Sequence, residues 1–155
     1  MLQRIQSIYL LFAGLVIAAL FLFPLVHNVY VNSKPVTIMV TGIYQDVNGQ
    51  HTHTGSFTAL TVATALVALI PLAIMFMYKN RKQQIALCYG AMLVVIAYSY
   101  WVSQTVKNAI GDAYLNMGNY GIGIILLSLS LLLIVLAQKS IQRDEKLVKS
   151  ADRLR

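Results

Sequence analysis

Four apolar stretches without a single Asp, Glu, Lys or Arg, roughly residues 8–26, 57–78, 85–101 and 120–138, constrain this chain more than any motif does. Each is close to the ~17 to 25 residues that a helix needs to cross a hydrocarbon layer of ~30 Å. The charges between them are segregated. Arg4, Lys79, Arg81, Lys82, Lys139, Arg143, Lys146, Lys149, Arg153 and Arg155 fall on one side, and Asp144, Glu145 and Asp152 reduce those ten bases to the net +7 of the whole chain. Lys34 and Lys107 on the other side are balanced by Asp46 and Asp112. By the positive-inside rule, the pattern predicts a multi-pass membrane protein with both ends of the chain in the cytoplasm.

Composition agrees, with 58% hydrophobic and 11% charged residues in 155 positions against about 25% charged in average soluble domains. Arg4 ahead of an apolar run resembles a secretory signal. The run is too long for one, however, and no small-x-small cleavage site follows Pro24, so it is expected to be retained. Tyr9 and Tyr78 on the basic side, and Tyr30, Tyr98, Tyr100, Trp101, Tyr114 and Tyr120 on the other, are placed to form interfacial belts.

Several chemistries are disfavoured by what the stretches contain. A lone Cys88 cannot exchange disulfides within the chain. His27, His51 and His53 lie at or beyond the ends of the apolar stretches, where they cannot clasp a haem inside a bundle. No carboxylate sits at membrane depth to relay protons. Serine hydrolysis would need a base beside Ser99, Ser128 or Ser130, and no His or Lys shares their expected depth. The reading is therefore of a non-enzymatic protein without a cofactor.

Helices in lipid associate through small residues that let backbones approach. Gly14 with Ala18, Thr58 with Thr61, Ala65 and Ala68, and Gly121 with Ser128 form such stripes and are expected to face inward. Pro71 removes one backbone hydrogen bond within the second stretch, and Pro24 does so near the end of the first, so both predict kinks. An apolar cavity near Pro71 would suit a lipid or another small molecule.

The outer loop, residues 29–55, is rich in β-branched residues from Val36 to Tyr44 and carries Asn48-Gly49, a strong two-residue hairpin signal. With those two at the turn, Val47 pairs with Gln50, Asp46 with His51 and Tyr44 with His53. Tyr44, Asp46, His51 and His53 would then share a face. Solvated strand polarity explains that face best, and zinc or copper held by His51, His53 and Asp46 is the sharper alternative. The second outer loop, residues 102–119, shows no ligand set. Its Gly118, Gly121 and Gly123 lack the strand-helix setting of a phosphate loop.

Residues 139–155 form a cytoplasmic tail without Gly or Pro from Ile141 onward, and Glu145 precedes Lys149 at the favourable i,i+4 spacing, so the last helix is expected to continue through it. Leu147, Ala151 and Leu154 would share one face, with Lys146, Lys149 and Arg153 on another. Such a helix suits anionic lipid at the cytoplasmic face, a membrane-protein partner or a second copy in a homo-oligomer, or packing beneath the chain's own loop at residues 79–84. Nucleic acid is not expected, because the basic balance reflects orientation across a membrane.

The opening MLQRIQSIYLL and the closing RDEKLVKSADRLR resemble the two ends of a bacterial inner-membrane family known as domain-of-unknown-function family 4293. The likeness in length and layout covers the whole chain and implies a bacterial plasma-membrane protein. It supplies no catalytic residue, ligand or partner. The expectation is thus an all-α integral membrane fold: a four-transmembrane-helix bundle at residues 1–138 with a small outer β-hairpin, and a cytoplasmic amphipathic helix at 139–155. Its expected role is an accessory, scaffold or assembly component docking through that tail, with lipid or small-molecule handling as the alternative and an outer-face metal or proton sensor a third.

Overall fold

The computed structural model describes residues 2–31, 34–47, 50–77, 80–111 and 117–153. Its elements are helix α1 (Leu2–Ala18), strands β1 (Val26–Val31), β2 (Lys34–Met39), β3 (Gly42–Val47) and β4 (Gln50–Ser56), and helices α2 (Thr58–Phe76), α3 (Arg81–Ile110) and α4 (Ile122–Arg153). A 3₁₀ turn, Ala19–Phe21, extends α1, and another, Met117–Asn119, precedes α4.

This corrects the all-α expectation. The four helices are joined by a four-stranded antiparallel sheet in the order β1-β2-β3-β4. Among the described residues, three helical stretches are long and apolar enough to cross a membrane: Thr58–Phe76, Arg81–Ile110 and Ile122–Val148. The apolar part of the first helix, Ile5–Phe21, is shorter. Its sequence run continues to Val26, but Pro24 has no N–H to donate and disfavours helix at the residue before it. The β-branched residues that follow then enter β1. Nor is there a separate cytoplasmic helix, because residues 139–153 are the uninterrupted end of α4.

One face of the sheet is apolar. Val26 and Val29 of β1, Val36 and Ile38 of β2, and Val40 in the next turn are buried, together with Leu20 and Leu25 from the segment between α1 and β1. The β3–β4 register joins Val47 to Gln50, Asp46 to His51 and Tyr44 to His53, the pairs that a turn at Asn48-Gly49 demands. That turn itself lies outside the described residues. The β-branched run 36–44 is two strands rather than one, broken at Val40-Thr41. Gly42 follows that break, and a Cβ there would overlap the Gly55 carbonyl oxygen.

α1 packs chiefly on α4 and α2. Leu10, Ala13 and Ile17 meet the core on one side, and Ile134, Ala137 and Ile141 of α4 are equally buried. At Gly14 a Cβ would stand 3.0 Å from Leu72 and 3.1 Å from the Ala68 carbonyl, so the expected small-residue contact joins α1 to α2. The rest of the α2 stripe is rotated from its expected place. Thr58 and Ala65 are exposed, whereas Leu60, Thr64, Val67, Ala68, Pro71 and Ile74 face inward. Thr64 Oγ1 lies 2.6 Å from Tyr98 Oη, a bond between α2 and α3. Tyr98 is therefore a buried packing residue, not part of an interfacial belt. Leu66, Leu69, Leu93, Ile96, Ile125 and Leu132 are exposed, and outward apolar surface on this scale is what a hydrocarbon surrounding requires.

Candidate functional site: a groove between α3 and α4

Hydropathy ends near Trp101, yet α3 continues for two and a half turns because Val102, Val106 and Ile110 extend its buried stripe. That extension builds one wall of a cavity of about 250 Å³. Ser99, Val102, Ser103, Val106 and Lys107 line it from α3. Ile124, Leu127 and Ser128 line it from α4, and Tyr120 from the residues just before that helix. Positions spaced three, four and seven apart share a helix face, so each wall is one stripe. Val102, Val106 and Leu127 are buried at the base, while Ser103, Lys107, Tyr120 and Ser128 are exposed at the rim.

The sheet holds the mouth in place. Gly121 N donates to the Leu25 carbonyl at 2.8 Å and Gly123 N to the Pro24 carbonyl at 3.0 Å, while Val26 bridges Tyr120. Asn119 Nδ2 donates to the carbonyls of Asn28 at 2.7 Å and His27 at 3.2 Å. A Cβ at Gly121 would overlap the Pro24 oxygen, which explains why glycine stands there. Of the expected Gly121 and Ser128 pair, only Gly121 faces inward; Ser128 is exposed at the groove. Across the groove, Gly111 ends α3 at φ +60°, its N–H bonded to the Lys107 carbonyl at 3.0 Å. Lys107 in this last turn also complements the negative end of the helix dipole.

Lys107 lines the same groove as Ser99 and Ser128, although no base was expected at their depth. Ser103 and Lys107 are one turn apart on it, and Ser99 Oγ donates to the Val95 carbonyl at 2.7 Å. That bond within one helix is structural. The cavity also lies away from Pro71, which is buried inside an unbroken α2.

A second polar cluster closes the other end of the molecule. Gln6 of α1 donates through Nε2 to Asp144 Oδ2 of α4, and the same nitrogen lies 3.5 Å from the Ser140 carbonyl. Arg81 Nη1 reaches the Asp144 carbonyl at 3.5 Å, and Gln84 Nε2 donates to the Ile74 carbonyl at 3.2 Å. Asp144 is only 7% exposed, and its Oδ1 has no hydrogen-bond partner among the described residues. The starts of α1 and α3 and the end of α4 thus meet at one end, opposite the sheet.

Other expected site residues are less concentrated. His53 is exposed and meets Tyr44 edge-on, ring centres 5.0 Å apart. The backbones of Asp46 and His51 are paired, but their side chains lie outside the described residues, as do those of Lys149, Ala151 and Arg153 and all of Leu154. Among the described residues no group of three metal-ligating side chains comes together. Lys146 and Leu147 are exposed on α4.

A family model described as Domain of unknown function (DUF4293) matches residues 2–154. The chain belongs to that family. No curated protein and no solved structure matches it. The two end segments that carry the resemblance to DUF4293 are joined in space by the Gln6–Asp144 hydrogen bond. The groove, in contrast, draws on the middle of the family's span.

Proposed function

We propose that this DUF4293 member is a non-enzymatic integral membrane protein that holds the acyl chain of an amphiphile in the α3–α4 groove. The groove itself carries the reading. Val102, Val106, Ile124 and Leu127 give it apolar walls, and its cavity of about 250 Å³ opens at the surface. That is below the ~300 to 1,000 Å³ of sites that enclose a drug-sized ligand. A single chain inserted sideways from the bilayer suits the space better than a whole solute. The same reading assigns the basic end of the helices to the cytoplasmic face of a bacterial plasma membrane and the sheet to the outside, by charge bias.

A lipid with a photoreactive group in its chain tests it. Labelling should concentrate on residues 102–106 and 124–128 and disappear in Val106→Trp, whose ring would fill the groove. Equal labelling of the exposed α2 residues Leu66 and Leu69 would refute it.

A second reading, an accessory or assembly component docking through the end of α4, is favoured by one observation. Leu147 and Val148 are 50% and 46% exposed beside Lys146. Replacing both with Ser should then release a co-purifying membrane partner while insertion is unchanged.

A further inference from the structure

Resting on the groove as a lipid site, we infer that its occupant is an anionic phospholipid from the leaflet on the sheet side, with its phosphate at Lys107. Three observations converge on that class. First, Lys107 lines the groove and is exposed. An ammonium is a compact point charge suited to phosphate oxygens. The other basic residue of this half, Lys34, is on β2 rather than on the groove.

Second, the polar groups are graded along the wall. Ser99, Ser103 and Lys107 follow one another by a turn each, spanning about 12 Å at the helical rise. Ser128 of α4 belongs to the same lining. The Ser103 and Ser128 hydroxyls match ester oxygens beneath a phosphate, and Val102 and Leu127 match the chain. Tyr120 at the rim brings a phenol that can also donate to phosphate.

Third, the depth is right. Tyr100 and Trp101 are exposed, and aromatic side chains of this kind settle at the interface between hydrocarbon and headgroups. Lys107 lies six residues further along α3, about 9 Å beyond Trp101. That is the headgroup layer. A zwitterionic choline lipid would bring a second positive charge to Lys107, whereas an anionic lipid brings none.

The test is competition between phosphatidylglycerol and phosphatidylcholine of identical chains, presented as an equimolar mixture to the purified full chain and read by native mass spectrometry. The wild type should retain phosphatidylglycerol with roughly fivefold preference, the size of one basic group's attraction to an anionic lipid surface. Lys107→Gln should bind phosphatidylglycerol no better than phosphatidylcholine, and Lys107→Arg should keep the preference. Water-soluble glycerol phosphate should displace nothing, because it has no chain. An unchanged preference in Lys107→Gln overturns the headgroup assignment while leaving the groove reading intact. Displacement by glycerol phosphate overturns it too. Val106→Trp serves as the separate control: if total bound lipid is unaffected by it, the groove reading itself fails.

Discussion

Replacing Gln6 with Leu removes the donor that holds Oδ2 of Asp144 without opening a large void, and its cost can be bracketed. Interhelical hydrogen bonds at membrane depth average only ~0.6 kcal/mol, because the alternative states also find partners. A hydrogen bond to a charged group is worth about 1.5–3 kcal/mol, and a buried acceptor that loses its donor carries the full desolvation penalty. Asp144 is 7% exposed and its Oδ1 lacks a partner among the described residues, so water cannot easily replace Gln6. The larger range should apply. The double variant Gln6→Leu, Asp144→Leu removes both partners and should recover most of the loss, since a buried polar pair replaced by apolar side chains is often nearly neutral. The coupling is read from reversible unfolding of all four proteins in mixed micelles, followed by the fluorescence of Trp101. A Gln6→Leu protein within about 0.5 kcal/mol of wild type, the spread of ordinary surface substitutions, would refute the reasoning. So would a double variant whose loss equals the sum of the single ones.

Gly121→Ala should lower stability by about 1–3 kcal/mol through overpacking against the Pro24 carbonyl, whereas Gly90→Ala, with open space around it, should be neutral or slightly stabilising; thermal unfolding in detergent distinguishes them. Tyr98→Phe removes the 2.6 Å contact with Thr64 and should cost ~0.6 to 1.7 kcal/mol in the same assay. Cysteine at Thr54, exposed on β4, should react with an impermeant reagent added outside cells, and cysteine at Ser150 should not. The buried Cys88 should stay silent in both, and the reverse pattern would invert the proposed orientation.

The parts of this fold legible in the sequence are those set by local chemistry. Asn48-Gly49 specifies the β3–β4 register because a two-residue turn leaves one pairing, and the pairs 47/50, 46/51 and 44/53 follow. Helical continuity through residues 139–153 follows from the lack of Gly and Pro. β1 was hidden because Val26–Val31 extends an apolar run, and periodicity alone does not separate a buried strand from a buried helix. The end of α3 was hidden for the opposite reason. Ser103, Gln104 and Lys107 read as a loop leaving the membrane, although Val102 and Val106 beside them stay buried. Hydropathy marks where lipid ends, not where a helix ends.

The groove was half legible. Ser99, Ser103 and Lys107 stand at intervals of four, a visible stripe once the helix is known to continue. What no local pattern supplies is the partner wall, which depends on α4 being anchored by Gly121 and Gly123 to the backbone of Pro24 and Leu25, nearly a hundred residues away in sequence. The burial of Asp144 is similarly non-local, since a carboxylate in a basic tail reads as solvated until Gln6 is placed beside it.

The most direct test of the central claim is the lipid content of the purified protein after exhaustive delipidation, compared between wild type and Val106→Trp. The wild type is expected to keep a phospholipid that the variant lacks, at equal folded content by circular dichroism. Equal lipid in both proteins, or none in either, would contradict an occupied groove between α3 and α4.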